Sequence, residues 1–198
     1  MRSPFKFIVK PDGGRYRNTI RIGDVDLITS TSQEDHTSSN RIAIVQEVPV
    51  GYNGLIEKGD RLIVHHNVFR FYYDMKGRQR SGRSHLIDDL FLLDEDQFFL
   101  VGKGDNWFSV APYCFVRPVE SKSYYISKQG GYEPLTGVVV YTNDQLASMG
   151  VFAGSTVCFT PHSEYEFVID GVLYYRMKTN DIAIVLEDEY QGTETANH

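Results

Sequence analysis

The chain reads nearly the same way twice, once from Phe7 to Val101 and again from Cys114 to Val185. Internal repetition at this scale means two copies of one folding unit, so the fold must be one that roughly 90 residues can close by themselves. Phe7-Ile8-Val9-Lys10-Pro11 returns as Cys114-Phe115-Val116-Arg117-Pro118, a short apolar strand ending in a cation and a proline. Arg41-Ile42-Ala43-Ile44-Val45 answers to Gly137-Val138-Val139-Val140-Tyr141, and Gly59-Asp60-Arg61-Leu62-Ile63-Val64 to Gly154-Ser155-Thr156-Val157-Cys158-Phe159. The closing strand Phe98-Phe99-Leu100-Val101 matches Ile182-Ala183-Ile184-Val185, introduced by Asp96-Gln97 in one copy and Asn180-Asp181 in the other.

In this alignment 30 residues separate Pro11 from Ile42 against 19 between Pro118 and Val138, and 38 separate Gly59 from Phe98 against 27 between Gly154 and Ile182. The first copy is therefore longer by 11 residues in each of two places. Growth of that kind is tolerated on surface loops, where closure entropy rises slowly with length, and loops carry function more often than sheets do.

The apolar segments are short, rich in Val, Ile, Tyr and Phe, and bounded by Gly, Asp, Asn and Pro. None keeps helical spacing for three turns, so the chain is read as all-β. Several short strands per unit suggest a small barrel or sandwich that closes on itself to hide its edges. Glu164–Ile169 and Val172–Met177 meet across Asp170-Gly171, a two-residue hairpin turn. In the first unit Val68–Tyr73 is expected to begin the same hairpin, with a connection lengthened through Asp74 to Arg83 before Leu86–Leu93 returns. The expected division is a first unit over 1–101, a connector over 102–112, a second unit over 113–189 and a tail over 190–198. Trp107-Phe108 argues against a free linker, because large aromatics pack, and the two units are expected to touch.

The composition, 41% hydrophobic and 13% aromatic, suffices for a real core. No apolar run approaches the ~20 residues of a membrane span, and the start Met-Arg-Ser-Pro-Phe-Lys-Phe lacks the apolar stretch of a signal peptide, so a cytoplasmic location is expected. Cys114 and Cys158 lie in apolar strand patterns and read as inert core thiols of a reducing compartment. A net charge of -6 weighs against nucleic acid or an anionic membrane as partner. The local cluster Lys76, Arg78, Arg80, Arg83 reads as a solvated hairpin tip.

Catalytic signatures are lacking: there is no Gly-x-Ser-x-Gly, His-Glu-x-x-His, Walker loop or dinucleotide glycine pattern, so neither an enzyme nor a cofactor is expected. His65-His66 should point to opposite faces of a strand and so not share a metal. Asp88-Asp89, Asp94-Glu95-Asp96 and His162 read as turn residues. The segment 15–40 stands apart, because Asp26-Leu27-Ile28-Thr29 is followed by eleven residues, Ser30 to Asn40, without one apolar side chain. Such a tract gains too little burial to offset ordering entropy and is expected to be mobile in the isolated protein. Its apolar patch is either a strand packed on the barrel or an anchor that folds onto a partner.

Each unit resembles chaperonin-10, the GroES-type co-chaperonin. The likeness rests on Tyr113–Pro118, Leu135–Val140, Ala153–Phe159 and the stretch from Glu166 to Asp181–Val185, and in the first copy on Glu57-Lys58-Gly59-Asp60-Arg61-Leu62-Ile63-Val64. It implies two tandem GroES-like small β-barrels and a homo-oligomeric co-chaperonin, without covalent chemistry. The implied partners are a GroEL-like chaperonin ring, capped during ATP-dependent folding, and indirectly the unfolded client. The family's docking element, an apolar tripeptide in the loop after the opening strand, corresponds to Leu27-Ile28-Thr29; in the shorter second loop Tyr125-Ile126 is the comparable anchor. Burying Leu27 and Ile28 gains roughly 3 to 6 kcal/mol while ordering a segment costs roughly 2 to 5 kcal/mol, so binding needs several loops at once. A double unit resembles the tandem co-chaperonins of plastids, and the lack of a transit segment before Phe5 points instead to a bacterial or phage source.

Two other readings compete. One is a ring-forming structural or adaptor protein, for example of a phage particle. The other is a nucleic-acid module using Lys76 to Arg83 with Phe71, Tyr72 and Tyr73, which the acidic net charge opposes.

Overall fold

Runs of consecutive buried residues, rather than alternation, mark the central strands. Phe7, Ile8 and Val9 are all buried, as are Leu62, Ile63 and Val64 and the four residues from Phe98 to Val101, so both faces of these strands are covered. The computed structural model describes residues 1–15, 19–22, 25–28, 40–121, 131–169 and 171–186, with backbone alone for 19–22, 25–28 and 79. The chain divides into two units, Met1–Phe108 and Ser109–His198.

In the first unit the strands are β1 (Phe7–Pro11), β2 (Thr19–Ile22), β3 (Val25–Ile28), β4 (Ile42–Glu47), β5 (Arg61–Val64), β6 (Phe71–Tyr73), β7 (Gln79–Ser81), β8 (His85–Ile87), β9 (Leu90–Leu93), β10 (Phe98–Lys103) and β11 (Asn106–Ser109). In the second they are β12 (Tyr113–Glu120), β13 (Tyr132–Tyr141), β14 (Thr156–Phe159), β15 (Tyr165–Ile169), β16 (Val172–Lys178) and β17 (Ile182–Leu186), with one short helix, α1 (Asp144–Ser148). The all-β reading holds. No helix among the described residues is long and apolar enough to cross a membrane.

The repeat is present in the strand order. The first sheet runs β11-β10-β5-β4-β1-β9-β8, and the second, read from its far edge, runs β17-β14-β13-β12-β16-β15. Six strands thus share one order, and β11 is an addition. The turns repeat as well. Gly59 and Gly154 both sit at φ +95, and each donates its N–H to the preceding strand, Gly59 to Val45 O and Gly154 to Val139 O, at 2.8 Å in both cases. That left-handed conformation is why both turns carry glycine. Before the closing strands, the Gln97 side chain accepts from the Asp94 N–H at 3.0 Å and the Asp181 carboxylate from the Lys178 N–H at 2.8 Å, each capping a single 3₁₀ turn.

Strand pairing corrects the sequence alignment at one place. Val9 pairs with Val45 and Pro11 with Ala43, whereas Val116 pairs with Val139 and Pro118 with Gly137, so Ala43 and Gly137 are equivalent. The alignment of Ile42 with Val138 had slipped by two residues. A slip of two keeps every side chain on its own face, so the hydrophobic pattern could not reveal it. Counted from the true partners, 31 residues lie between Pro11 and Ala43 and 18 between Pro118 and Gly137, a difference of 13.

Three further expectations change. First, the sheets are not closed barrels: β11 and β8 are the edges of one and β17 and β15 of the other. Closure needs the two edge strands of a sheet to pair with each other, and neither β11 with β8 nor β17 with β15 does so. Second, the hairpin equivalent to β15–β16, whose Ile169 and Val172 pair as expected, is β8–β9, in which Ile87 pairs with Leu90. Val68 and Phe69 are drawn fully into the core instead, Phe69 edge-on to Phe91 at 4.9 Å, and β6 pairs locally with β7 as a separate two-stranded sheet. Third, part of the stretch read as a connector enters the first sheet as β11. Trp107 packs on the bare backbone of Gly102, where a Cβ would lie 2.8 Å from its ring, and the Arg61 guanidinium covers that ring at 5.0 Å.

Candidate functional site

The longer loop of the first unit is gathered at its base by a buried asparagine. Asn40 donates its carboxamide N–H groups to Asp12 O at 2.8 Å and Gly14 O at 2.9 Å, while its carbonyl accepts from the Ile42 N–H at 2.9 Å. The Asn40 N–H itself donates to Arg15 O at 3.0 Å. One side chain therefore joins both ends of the segment, with every polar atom satisfied away from water. Within the segment β2 and β3 form a hairpin that pairs Thr19 with Ile28, Ile20 with Leu27, Arg21 with Asp26 and Ile22 with Val25.

Leu27 and Ile28 therefore lie on a strand, though on a two-stranded sheet distinct from the seven-stranded one, which matches neither sequence reading in full. Thr29 lies outside the described residues, as do Tyr125 and Ile126 of the second loop.

A second insertion adjoins the first through Arg15. Its guanidinium lies over the Phe71 ring at 4.2 Å and the Phe91 ring at 4.6 Å, and its Nη atoms donate to Ser81 Oγ at 3.3 and 3.4 Å. The residue at the neck of the long loop thus clamps the base of the β6–β7 hairpin. At that hairpin's tip the Asp74 carboxylate accepts from the backbone N–H of Lys76 at 2.9 Å and of Arg78 at 3.0 Å, and the Nε atoms of Arg78 and Arg80 approach it to 3.3 Å. The Arg78 backbone hydrogen bond leads the causes that hold the Asp74 carboxyl below its usual range, and the flanking cations add to it. Lys76 and Arg78 stand at the tip of the β6–β7 hairpin, Arg80 lies on β7 and Arg83 follows it, so the cluster is spread along a separate hairpin rather than gathered at the tip of a Val68–Leu93 hairpin. Tyr72 and Tyr73 on β6 are 51% and 45% exposed.

Elsewhere the residues singled out in the sequence stay apart. β5 ends at Val64, so His65 and His66 are turn residues whose rings lie 4.1 Å apart rather than on opposite faces of a strand. Among the described residues no group of three or more His, Cys, Asp and Glu could hold a metal ion. Cys114 and Cys158 are free thiols, and burial pushes the Cys114 pKa up to about 12, so it is a neutral packing group. An open groove of about 590 Å³ flanks the base of the second loop between Arg117, Glu120, Tyr132 and Val172.

Sequence reasoning missed Asn40 and Arg15. Asn40 had one usable signal, its place at the end of a polar tract directly before a strand. Arg15 had none, because both aromatic partners are more than fifty residues away in the chain. No protein-family model matches this chain, and no curated protein matches it.

Proposed function

We propose that the protein is a co-chaperonin made of two GroES-like units, which caps a chaperonin ring through the first unit's long loop and assists ATP-dependent folding of client proteins. One observation carries the reading. The segment between β1 and β4 is longer than its counterpart by 13 residues, is gathered at its base by Asn40, and presents Leu27-Ile28 on a hairpin of its own. A hairpin held at both ends loses less freedom on docking than an unconstrained loop, which leaves more of the apolar gain for affinity. The single-loop balance stays weak, so several chains acting together supply the avidity.

Nucleotide-dependent co-sedimentation with a bacterial chaperonin tests this. The wild-type chain is expected to pellet with the ring, and Leu27→Ser with Ile28→Ser is expected to abolish it; equal pelleting of the two proteins refutes the role of this loop. A second reading, a ring-forming structural or adaptor protein, is favoured by the open apolar edge at β17, and it predicts self-association without chaperonin binding.

A further inference from the structure

The connection between β4 and β5 holds the chain's one asparagine–glycine pair, Asn53-Gly54, and each of the other seven asparagines is followed by a residue that carries a side chain. Asn53 and Gly54 are both exposed. Among the described residues neither the Asn53 carboxamide nor the Gly54 N–H has a hydrogen-bond partner. Asn40 and Asn143 show the opposite condition: both are buried, and each carboxamide donates two hydrogen bonds and accepts one.

Packing explains why glycine stands at position 54. The Tyr52 ring lies where a Cβ on residue 54 would be, and that ring meets Phe7 edge-on at 5.0 Å. Phe7 is fully buried, so a side chain at 54 would push Tyr52 away from a core ring. The fold therefore keeps the least hindered residue directly after an unrestrained asparagine.

We propose that Asn53 is a site of self-modification, at which the chain converts its own carboxamide to an isoaspartyl or aspartyl carboxylate. The Gly54 backbone nitrogen attacks Cγ of Asn53. The new N–Cγ bond closes a five-membered imide, the Cγ–Nδ2 bond breaks, and the proton from the Gly54 nitrogen departs with the leaving ammonia. Water, the one co-reactant, then opens the imide. Opening at Cγ leaves aspartate in an ordinary backbone, and opening at the backbone carbonyl leaves isoaspartate, with one more methylene in the main chain. The product places a negative charge in the stretch that carries Val50 and Leu55, 58% and 84% exposed. It also alters a turn in which the Tyr52 N–H donates to Pro49 O at 3.2 Å and the Val50 N–H to Ser3 O at 2.9 Å. The reaction is independent of the function proposed above.

Peptide mapping by mass spectrometry of the full chain, aged in mildly alkaline buffer, reads the reaction directly. The peptide containing Asn53 should gain the mass difference between an amide and an acid and split into two chromatographic species. The larger should accept a methyl group from S-adenosylmethionine through an isoaspartyl carboxyl methyltransferase. Conversion at Asn53 should run roughly tenfold or more ahead of that at Asn67 and Asn106, which are also exposed but precede residues with side chains. Asn53→Ser should remove both the mass change and the methyl acceptance from that peptide. A synthetic peptide of residues 49–58 should convert at a rate comparable to the folded chain, because the fold restrains neither reacting group. An Asn53 as long-lived as Asn67 in the folded chain overturns the proposal. So does conversion to aspartate alone, which would mean direct hydrolysis without the imide.

Discussion

The two units share a frame and differ in what has been added to it. Six strands, two glycine turns at φ +95 and two capped 3₁₀ turns recur, while the first unit adds a 13-residue extension and, among the described residues, the β6–β7 hairpin and β11 have no counterpart in the second. The additions are not scattered. Arg15 joins two of them, and each is anchored by buried or stacked groups rather than hung on the surface. The frame is what the sequence repeats, and the additions are where the first unit acquires contacts with no counterpart among the described residues of the second.

The sharpest test of that division is Phe69, which is fully buried in the first unit although it belongs to the lengthened connection. If the additions are integral to the core, Phe69→Ala should lower stability by about 3–5 kcal/mol in a denaturant titration. A loss under about 1 kcal/mol would make the hairpin a passenger on the frame.

A smaller effect separates the units at one equivalent position, where the first has Ala43 and the second Gly137. A Cβ on Gly137 would crowd Val116 Cγ1 and lie 2.8 Å from Arg117 O. Gly137→Ala should therefore destabilise by about 1–3 kcal/mol, while Ala43→Gly should cost about 0.5–1 kcal/mol. A Gly137→Ala cost no larger than that of Ala43→Gly would contradict the crowding at Gly137.

Much of the frame was legible in residue order. The Asp170-Gly171 hairpin, both glycine-led strands and the burial of Cys114 follow from local turn chemistry and apolar runs. What escaped depended on distance in the chain. The two-residue slip preserved side-chain facing, the β6–β7 sheet formed because Phe69 left the run for the core, and the Asn40 neck and Arg15 clamp join residues with no shared pattern. The expectation of closed barrels failed because no local pattern says whether the first and last strands of a sheet pair with each other. Of the residues proposed to dock, Leu27 and Ile28 were legible as an apolar patch, but the hairpin that carries them was not.

The smallest expected effect is a difference in alkaline sensitivity. Cys114 occupies in the second unit the position that Phe7 holds in the first, pairing with Met177 as Phe7 pairs with Leu93. Burial raises the Cys114 pKa from its ordinary 9.0 to about 12, so above the ordinary value the unfolded chain releases a proton that the folded chain keeps. Stability from this group is full below pH 9.0 and declines as pH rises toward about 12. Thermal melts across that window should lose this slope in Cys114→Ala, and stability that rises with pH in the wild type would contradict the burial.

Asn40 gives the first unit a fixed port in the backbone. Because Asp12, Gly14 and Asn40 close the neck whatever lies between, the intervening chain can be rewritten at little cost to the scaffold, since closure entropy grows only with the logarithm of length. A neck closed in this way suits the segment between its attachment points to replacement without renegotiating the core, and a foreign hairpin grafted between the same two points should inherit a folded carrier.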